Sequence, residues 1–244
     1  MKAARHAIRA WPVSLSLLVY AAILIGASIV AAPMGIIGGF LIGFVLAACW
    51  SSYLDLLSQA VAGSRIRVRW DEFKRTFGAH FWDVISVMFA FWIISMLTGP
   101  ATRGPNGAAV AAIMGIAIAF FFNAVPELLY QGSSRSFSLL LDSARFMLAN
   151  PVAWLLPNVV FAGVILSLTG RLDVSHPAEL LVVFGNAFSS PAGVASIVAG
   201  MPLWALPLAP LGLHFVMVFR GLLFKELSSG RGSARLRDFQ ARQR

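Results

Sequence analysis

The sequence has little charge and almost no cysteine. Only 12% of its 244 residues are charged, and 59% are hydrophobic. A soluble domain has roughly a quarter charged residues, so most of this surface must lie against lipid, as the mean hydropathy of +0.80 also indicates. The single cysteine, Cys49, excludes an intrachain disulfide and a cysteine-based metal site.

Signatures of catalysis and of cofactor binding are also absent. The chain has no glycine-rich phosphate-binding loop, no His-Glu-x-x-His zinc motif and no Gly-x-Ser-x-Gly nucleophile motif. Its four histidines are scattered along the chain, at His6, His80, His176 and His214. We therefore predict a protein that is not an enzyme and that holds no cofactor and no metal.

Six apolar runs are each long enough to cross a bilayer, which takes about 20 residues in a helix. They are Trp11–Ala31, Met34–Leu57, Phe81–Leu97, Ala108–Leu128, Val152–Leu168 and Met201–Leu223. This pattern predicts an all-α polytopic membrane protein with six transmembrane helices, the first retained rather than cleaved as a signal. The region 179–200 is apolar but broken by glycine and proline, which indicates a re-entrant or surface segment.

The basic residues predict the orientation of these spans. With the N-terminus in the cytoplasm, all of the 19 Lys and Arg residues except Arg103 and Arg171 fall on the cytoplasmic side. Both termini are then cytoplasmic. Richness in Ala, Arg and Gly favours a bacterial inner membrane. The net charge of +9 is explained by this topology, so we predict no nucleic-acid partner.

A short pattern recurs at the ends of the second, fourth and sixth runs, in Asp55–Gln59, Glu127–Gln131 and Gly221–Lys225. We interpret it as a repeat within a single transmembrane domain, 1–244, with copies at 11–80, 81–150 and 151–244. Each copy would be a helical hairpin closed by a cytoplasmic amphipathic helix. Chance similarity in a leucine-rich chain is the alternative.

Two stretches between the runs have apolar residues at helical spacing with basic residues between them. One contains Ile66, Trp70, Phe73, Phe77 and Phe81; the other contains Phe137, Leu140, Leu141, Ala144 and Leu148. Such helices lie on the membrane surface, where basic side chains bind anionic lipid headgroups. Docking of a cytoplasmic protein is the alternative.

Glycines recur every fourth residue in the second run, at Gly35, Gly39 and Gly43, and Gly115 lies at a matching position in the fourth run. This spacing predicts close helix packing, within the chain or in a homo-oligomer. We therefore expect Gly39→Leu or Gly43→Leu to weaken helix packing.

A few polar residues lie where lipid makes them costly. Asp55 and Glu127 occupy equivalent repeat positions, and the third copy brings Arg220 and Lys225. We predict that these four charges converge and either neutralise one another or bind an ion or headgroup. The alternative is that they are helix ends reaching interfacial water. Deeper in the runs, Asn123, Asn158 and His214 are predicted to form interhelical hydrogen bonds.

The stretch from Tyr53 to Phe81, and that from Glu127 through Asn150 and Pro151 to Trp154, resemble a loose group of bacterial proteins. These are six-span proteins similar to the membrane domain of some glycerophosphodiester phosphodiesterases. The resemblance implies a topology and no catalytic residues. The expected function is a scaffold or subunit of a membrane complex that binds partner proteins or anionic lipid. A transporter or permease subunit is the alternative.

Overall fold

A computed structural model describes residues 7–8, 10–63, 80–104, 106–132, 137–168 and 209–242. Within these residues the structure is helical and contains no strand, which confirms the predicted all-α class for this part of the chain. The helices are α1 Pro12–Ala31, α2 Gly35–Ala62, α3 Phe81–Thr102, α4 Gly107–Phe121, α5 Val125–Gln131, α6 Phe137–Ala149, α7 Pro151–Leu168 and α8 Ala209–Arg242.

Several of these helices have the length and hydropathy of membrane spans. Among the described residues, three stretches qualify: Pro12–Ala62, Phe81–Thr102 and Gly107–Gln131. A fourth candidate, Phe137–Ala149 with Pro151–Phe161, is bent by 95°. Because such apolar stretches need a hydrocarbon environment, the chain is a membrane protein.

The first stretch folds back on itself as an antiparallel hairpin of α1 and α2. A turn of 3₁₀ helix, Ala32–Met34, joins them, followed by Gly35 with a φ of +56°. That backbone conformation favours glycine, so Gly35 serves the turn. Farther down the hairpin, the hydroxyls of Tyr20 and Ser52 lie 2.8 Å apart, although 32 residues separate them in sequence.

The stretch Gly107–Gln131 is broken, whereas the sequence predicted a continuous run over Ala108–Leu128. Residues Phe122–Ala124 form a turn between α4 and α5. Pro126 explains the break, because proline has no N–H and its ring clashes with the carbonyl four residues earlier, that of Phe122. The amide of Val125 donates to that carbonyl instead, at 3.2 Å.

Helix α6 is apolar on two faces. Its inner face is buried and consists of Leu139, Ser143, Phe146 and Met147. Phe137, Leu141 and Leu148, three residues of the predicted surface face, are more than half exposed. Since the inner face packs against protein, α6 is a helix of the folded core that also presents an apolar surface.

Helix α8 is central to the packing of the described residues. It contacts α1, α2, α5 and α7, and it continues to Arg242, well beyond the predicted end of the sixth run at Leu223. The predicted amphipathic stretch from Ile66 to Phe77, the segment 179–200 and the start of the sixth run lie outside the described residues.

Candidate functional site

An ion pair between Glu127 of α5 and Arg220 of α8 lies inside the protein. The Arg220 Nε donates to Glu127 Oε1 at 2.7 Å, and Nη2 donates to Oε2 at 3.0 Å. The two N–H groups thus meet both carboxylate oxygens, which is the strongest geometry for this kind of pair. Glu127 is 0% exposed and Arg220 is 8% exposed.

Arg220 also binds two other segments. Its Nη1 donates to Oδ1 of Asn158 in α7 at 3.1 Å, and its Nη2 donates to the backbone carbonyl of Asn123. Asn123 lies in the turn that separates α4 from α5, where helical hydrogen bonding is interrupted. One guanidinium group therefore joins α5, α7, α8 and the α4–α5 turn.

Trp154 of α7 holds the two asparagines in place. Its indole N–H donates to Oδ1 of Asn123 at 2.9 Å, and Asn158 donates to its backbone carbonyl at 2.7 Å. Its ring lies 5.1 Å from the Arg220 guanidinium carbon, a cation–π distance. The rings of Phe146 and Phe224 pack on Trp154 at 5.3 and 6.2 Å and shield it. We call Glu127, Arg220, Asn123, Asn158 and Trp154 the central polar network.

The energetics of this network follow from its burial. Moving a charge out of water costs several kcal/mol. The attraction of an opposite charge offsets this cost only when the geometry is good and the remaining hydrogen bonds are satisfied. Here the carboxylate accepts from two donors, and the guanidinium makes four hydrogen bonds. The network is therefore occupied by internal contacts and joins helices rather than presenting a free reactive group.

A close helix approach lies beside the network at Gly221. The Gln131 side chain donates to the Gly221 carbonyl at 3.0 Å, which joins α5 to α8. A Cβ at Gly221 would overlap the Tyr130 hydroxyl and a methyl of Val61. Glycine at this position therefore allows α2, α5 and α8 to meet.

The four predicted cluster residues have different surroundings. Glu127 and Arg220 pair directly. Asp55 is half-buried and accepts a hydrogen bond at 3.0 Å from Gln59, one turn farther along α2. Lys225 is exposed and lines a surface cleft with Tyr130. Of the four predicted charges, the tertiary structure thus brings together one acid and one base as a buried pair, and the sequence repeat stays a prediction.

The deeper polar residues divide in a similar way. Asn158 of α7 accepts a hydrogen bond from Arg220 of α8, and Asn123 in the α4–α5 turn accepts one from Trp154 of α7. His214 is 2% exposed, and its ring approaches the backbone of Ala7, although neither ring nitrogen makes a hydrogen bond of full geometry with a described residue.

Gly39 and Gly43 of the glycine stripe make no close contact with the described part of the chain. A Cβ at Gly39 or Gly43 would meet nothing within 4 Å among the described residues. The same is true of Gly35, while Gly115 is buried in α4. The tight position in α2 is Gly38, whose Cβ would overlap the carbonyl oxygen of Ala31. Gly39 and Gly43 therefore have no packing partner among the described residues, and the packing prediction for them stays a prediction.

Sequence reasoning missed two contributors to the site. Trp154 was noted only as part of a resemblance, and Gly221 only as part of a repeat. The signal for Trp154 was a tryptophan one helical turn before Asn158, because an indole N–H in an apolar span needs an acceptor. No sequence signal marks Gly221 as the point where three helices meet.

A metal centre finds no support in the described residues, which contain no group of three or more His, Cys, Asp or Glu side chains able to hold an ion. No family model matches the chain, and comparisons with curated proteins and with solved structures find no match. The resemblance to the phosphodiesterase membrane domain therefore stays a prediction.

Proposed function

We propose that the protein is a non-catalytic component of a membrane complex, a scaffold or subunit that binds partner proteins and anionic lipid. The observation that carries this proposal is the central polar network. Glu127 and Arg220, both buried in the described part of the chain, form hydrogen bonds between helices. Their role is then to hold a fixed helix arrangement on which partners assemble.

The surface of α2 supplies a place for a partner in this proposal. Its first half presents Phe40, 68% exposed, beside the open Gly39 and Gly43. Small residues let a second transmembrane helix approach closely. We propose that this face packs against another subunit, either a different protein or a second copy of the chain.

The proposed setting is a bacterial inner membrane, with six spans arranged as three hairpins and both termini in the cytoplasm. Basic residues concentrated on one side support this orientation. They would also hold the cytoplasmic surface against anionic lipid.

One observation favours the alternative of a transporter or permease subunit. The stretch Gly107–Gln131 is broken at Phe122–Ala124, and broken helices line substrate sites in many transporters. In this protein Arg220 binds the carbonyl of Asn123 within the break. Because that position is occupied by a side chain of the same chain, we favour the structural role.

Crosslinking from native membrane tests the proposal. A photoreactive amino acid is placed at Phe40, and the matched control carries it at Val159 on α7, which is 57% exposed. We expect a discrete crosslinked band from Phe40, identified by mass spectrometry, and none from Val159. A band at twice the mass of 26.2 kDa would indicate a second copy.

Two results would contradict the proposal. Equal, diffuse crosslinking to lipid from both positions would show that the α2 face has no protein partner. Substrate flux in proteoliposomes containing the purified chain would instead support the transporter alternative.

A further inference from the structure

We propose that a surface cleft, at the ends of α2 and α5 and beside the middle of α8, binds the phosphate group of an anionic lipid, with Lys225 as its cationic anchor. This inference rests on the proposed function and gives its lipid-binding part a location. The cleft has a volume of about 560 Å³. It is lined by Ser58, Val61, Ala62, Tyr130, Gln131, Phe224, Lys225, Ser228 and Ser229.

The charge of the cleft comes from Lys225. Its side chain is exposed, and its ammonium group forms no ion pair with a described residue. Three acids lie nearby in sequence or space: Glu127, which pairs with Arg220; Asp55, which accepts a hydrogen bond from Gln59 at 3.0 Å; and the exposed Glu226. None of the three lines the cleft. A mobile ammonium group with three donors is a suitable ligand for phosphate oxygens.

The next feature of the cleft is the set of backbone carbonyls at the C-terminal ends of α2 and α5. The last carbonyls of a helix are partly negative and attract cations. Here the Gly63 amide donates to the carbonyls of Gln59 and Ala60, and the Gly132 amide donates to that of Leu128. Three of these terminal carbonyls therefore already accept backbone hydrogen bonds.

Hydroxyl groups surround the same space. Tyr130 is buried, and its hydroxyl lies beside the Gln131 side chain and Gly221 without a hydrogen bond of full geometry to a described residue. A poorly paired buried hydroxyl is costly, so a ligand oxygen within its reach would remove a penalty. Ser228 and Ser229 donate to carbonyls of their own helix at 3.2 and 3.0 Å, and rotation about one bond redirects each of them.

The apolar part of the lining favours a lipid over a free anion. Val61, Ala62 and Phe224 belong to the cleft wall, and α2 and α5 end there after an apolar span. A cleft that is charged at one side and apolar at the other matches the boundary between headgroup and acyl chain. Inorganic phosphate could make the same hydrogen bonds as a lipid phosphate, but it has no acyl chain to bury against the apolar wall.

Binding to the purified full chain in mild detergent tests the inference. Native mass spectrometry measures retention of short-chain phosphatidylglycerol, of short-chain phosphatidylcholine and of inorganic phosphate. We expect retention of phosphatidylglycerol, weakened about tenfold in Lys225→Gln by loss of a charge-assisted hydrogen bond. Tyr130→Phe keeps the ring and removes only the hydroxyl, so a several-fold weakening is expected.

Arg145→Gln is the matched control, because it removes one positive charge from an exposed side chain on α6, outside the cleft. Equal loss of phosphatidylglycerol in Arg145→Gln and Lys225→Gln would overturn the cleft in favour of diffuse surface attraction. Equal retention of inorganic phosphate would show that the ligand is a soluble anion rather than a lipid.

The cleft and the partner proposal can fail separately. Lipid loss in Lys225→Gln without loss of the Phe40 crosslink supports the cleft and leaves the partner proposal standing. Absence of that crosslink with lipid retention intact overturns the partner proposal alone.

Discussion

Burial determines how much an individual ion pair contributes to the stability of this protein. The Glu127–Arg220 pair is almost fully enclosed, whereas the Arg145–Asp142 pair at 3.4 Å has side chains that are 68% and 34% exposed. Exposed pairs contribute about 0–1 kcal/mol. Removing one member of a buried pair leaves an unpaired charge, which costs about 3–5 kcal/mol. Two ion pairs of the same chemistry should therefore respond very differently to substitution.

We predict that Glu127→Gln or Arg220→Met lowers the free energy of unfolding by about 3–5 kcal/mol. The double variant should lose less than the sum of the two, because neither charge is then left alone. Denaturant-induced unfolding in mild detergent measures all three. Arg145→Gln is the control, with an expected change of less than about 0.5 kcal/mol. Additive losses in the double variant would show that the two side chains do not interact.

At the scale of helices, the spacing of small residues alone does not determine where two helices pack closely. Gly39 and Gly43 have the spacing of a packing motif and open surroundings, while Gly221 has no such motif and sits against α2 and α5. A helix has several faces of small residues. Only the arrangement of its neighbours shows which face is used.

Gly221→Ala and Gly39→Ala should therefore change stability in opposite directions. At Gly221 the added methyl overlaps Tyr130 and Val61, and overpacking of this kind costs typically 1–3 kcal/mol. At Gly39 the methyl meets no described residue within 4 Å, so alanine's higher helix propensity should stabilise α2 by up to about 1 kcal/mol. Thermal unfolding of the two variants in detergent measures the difference. A loss of stability at Gly39 would indicate a contact that the isolated chain lacks, such as a subunit interface.

For the whole molecule, the proposed orientation requires exposed residues on opposite sides of the membrane. Arg103 follows α3 and Arg145 lies on α6, and both are exposed. The charge pattern assigns Arg103 to the outer side and Arg145 to the cytoplasm. The single native cysteine, Cys49, is buried, so it should contribute little background to thiol labelling.

We predict that an impermeant maleimide labels Arg103→Cys in intact cells and labels Arg145→Cys only after permeabilisation. The wild-type chain reports labelling of Cys49. Labelling of both variants in intact cells would contradict an arrangement with these two residues on opposite sides. The reverse labelling pattern would indicate the opposite orientation, with Arg145 outside and Arg103 in the cytoplasm.

The sequence by itself determined the features that depend on local physics. The predicted run Trp11–Ala31 starts one residue before α1, Pro12–Ala31, and the run predicted from Phe81 starts where α3 does, because lipid imposes a length and a hydropathy on any spanning helix. The break before α5 was not predicted, since the sequence predicted a continuous run over Ala108–Leu128, although Pro126 accounts for the break. Costly polar groups in those runs marked Glu127, Arg220, Asn123 and Asn158 as worth testing.

Only the tertiary structure decided which of these residues meet. Glu127 and Arg220 are 93 residues apart. The sequence periodicity of one helix does not specify its rotation relative to a helix so distant in sequence. That rotation paired Glu127 with Arg220 rather than Asp55, left Lys225 at the cleft, and placed Trp154 against the guanidinium group. Helix formation is a local property, whereas the partner of a buried charge depends on the packing of every helix around it.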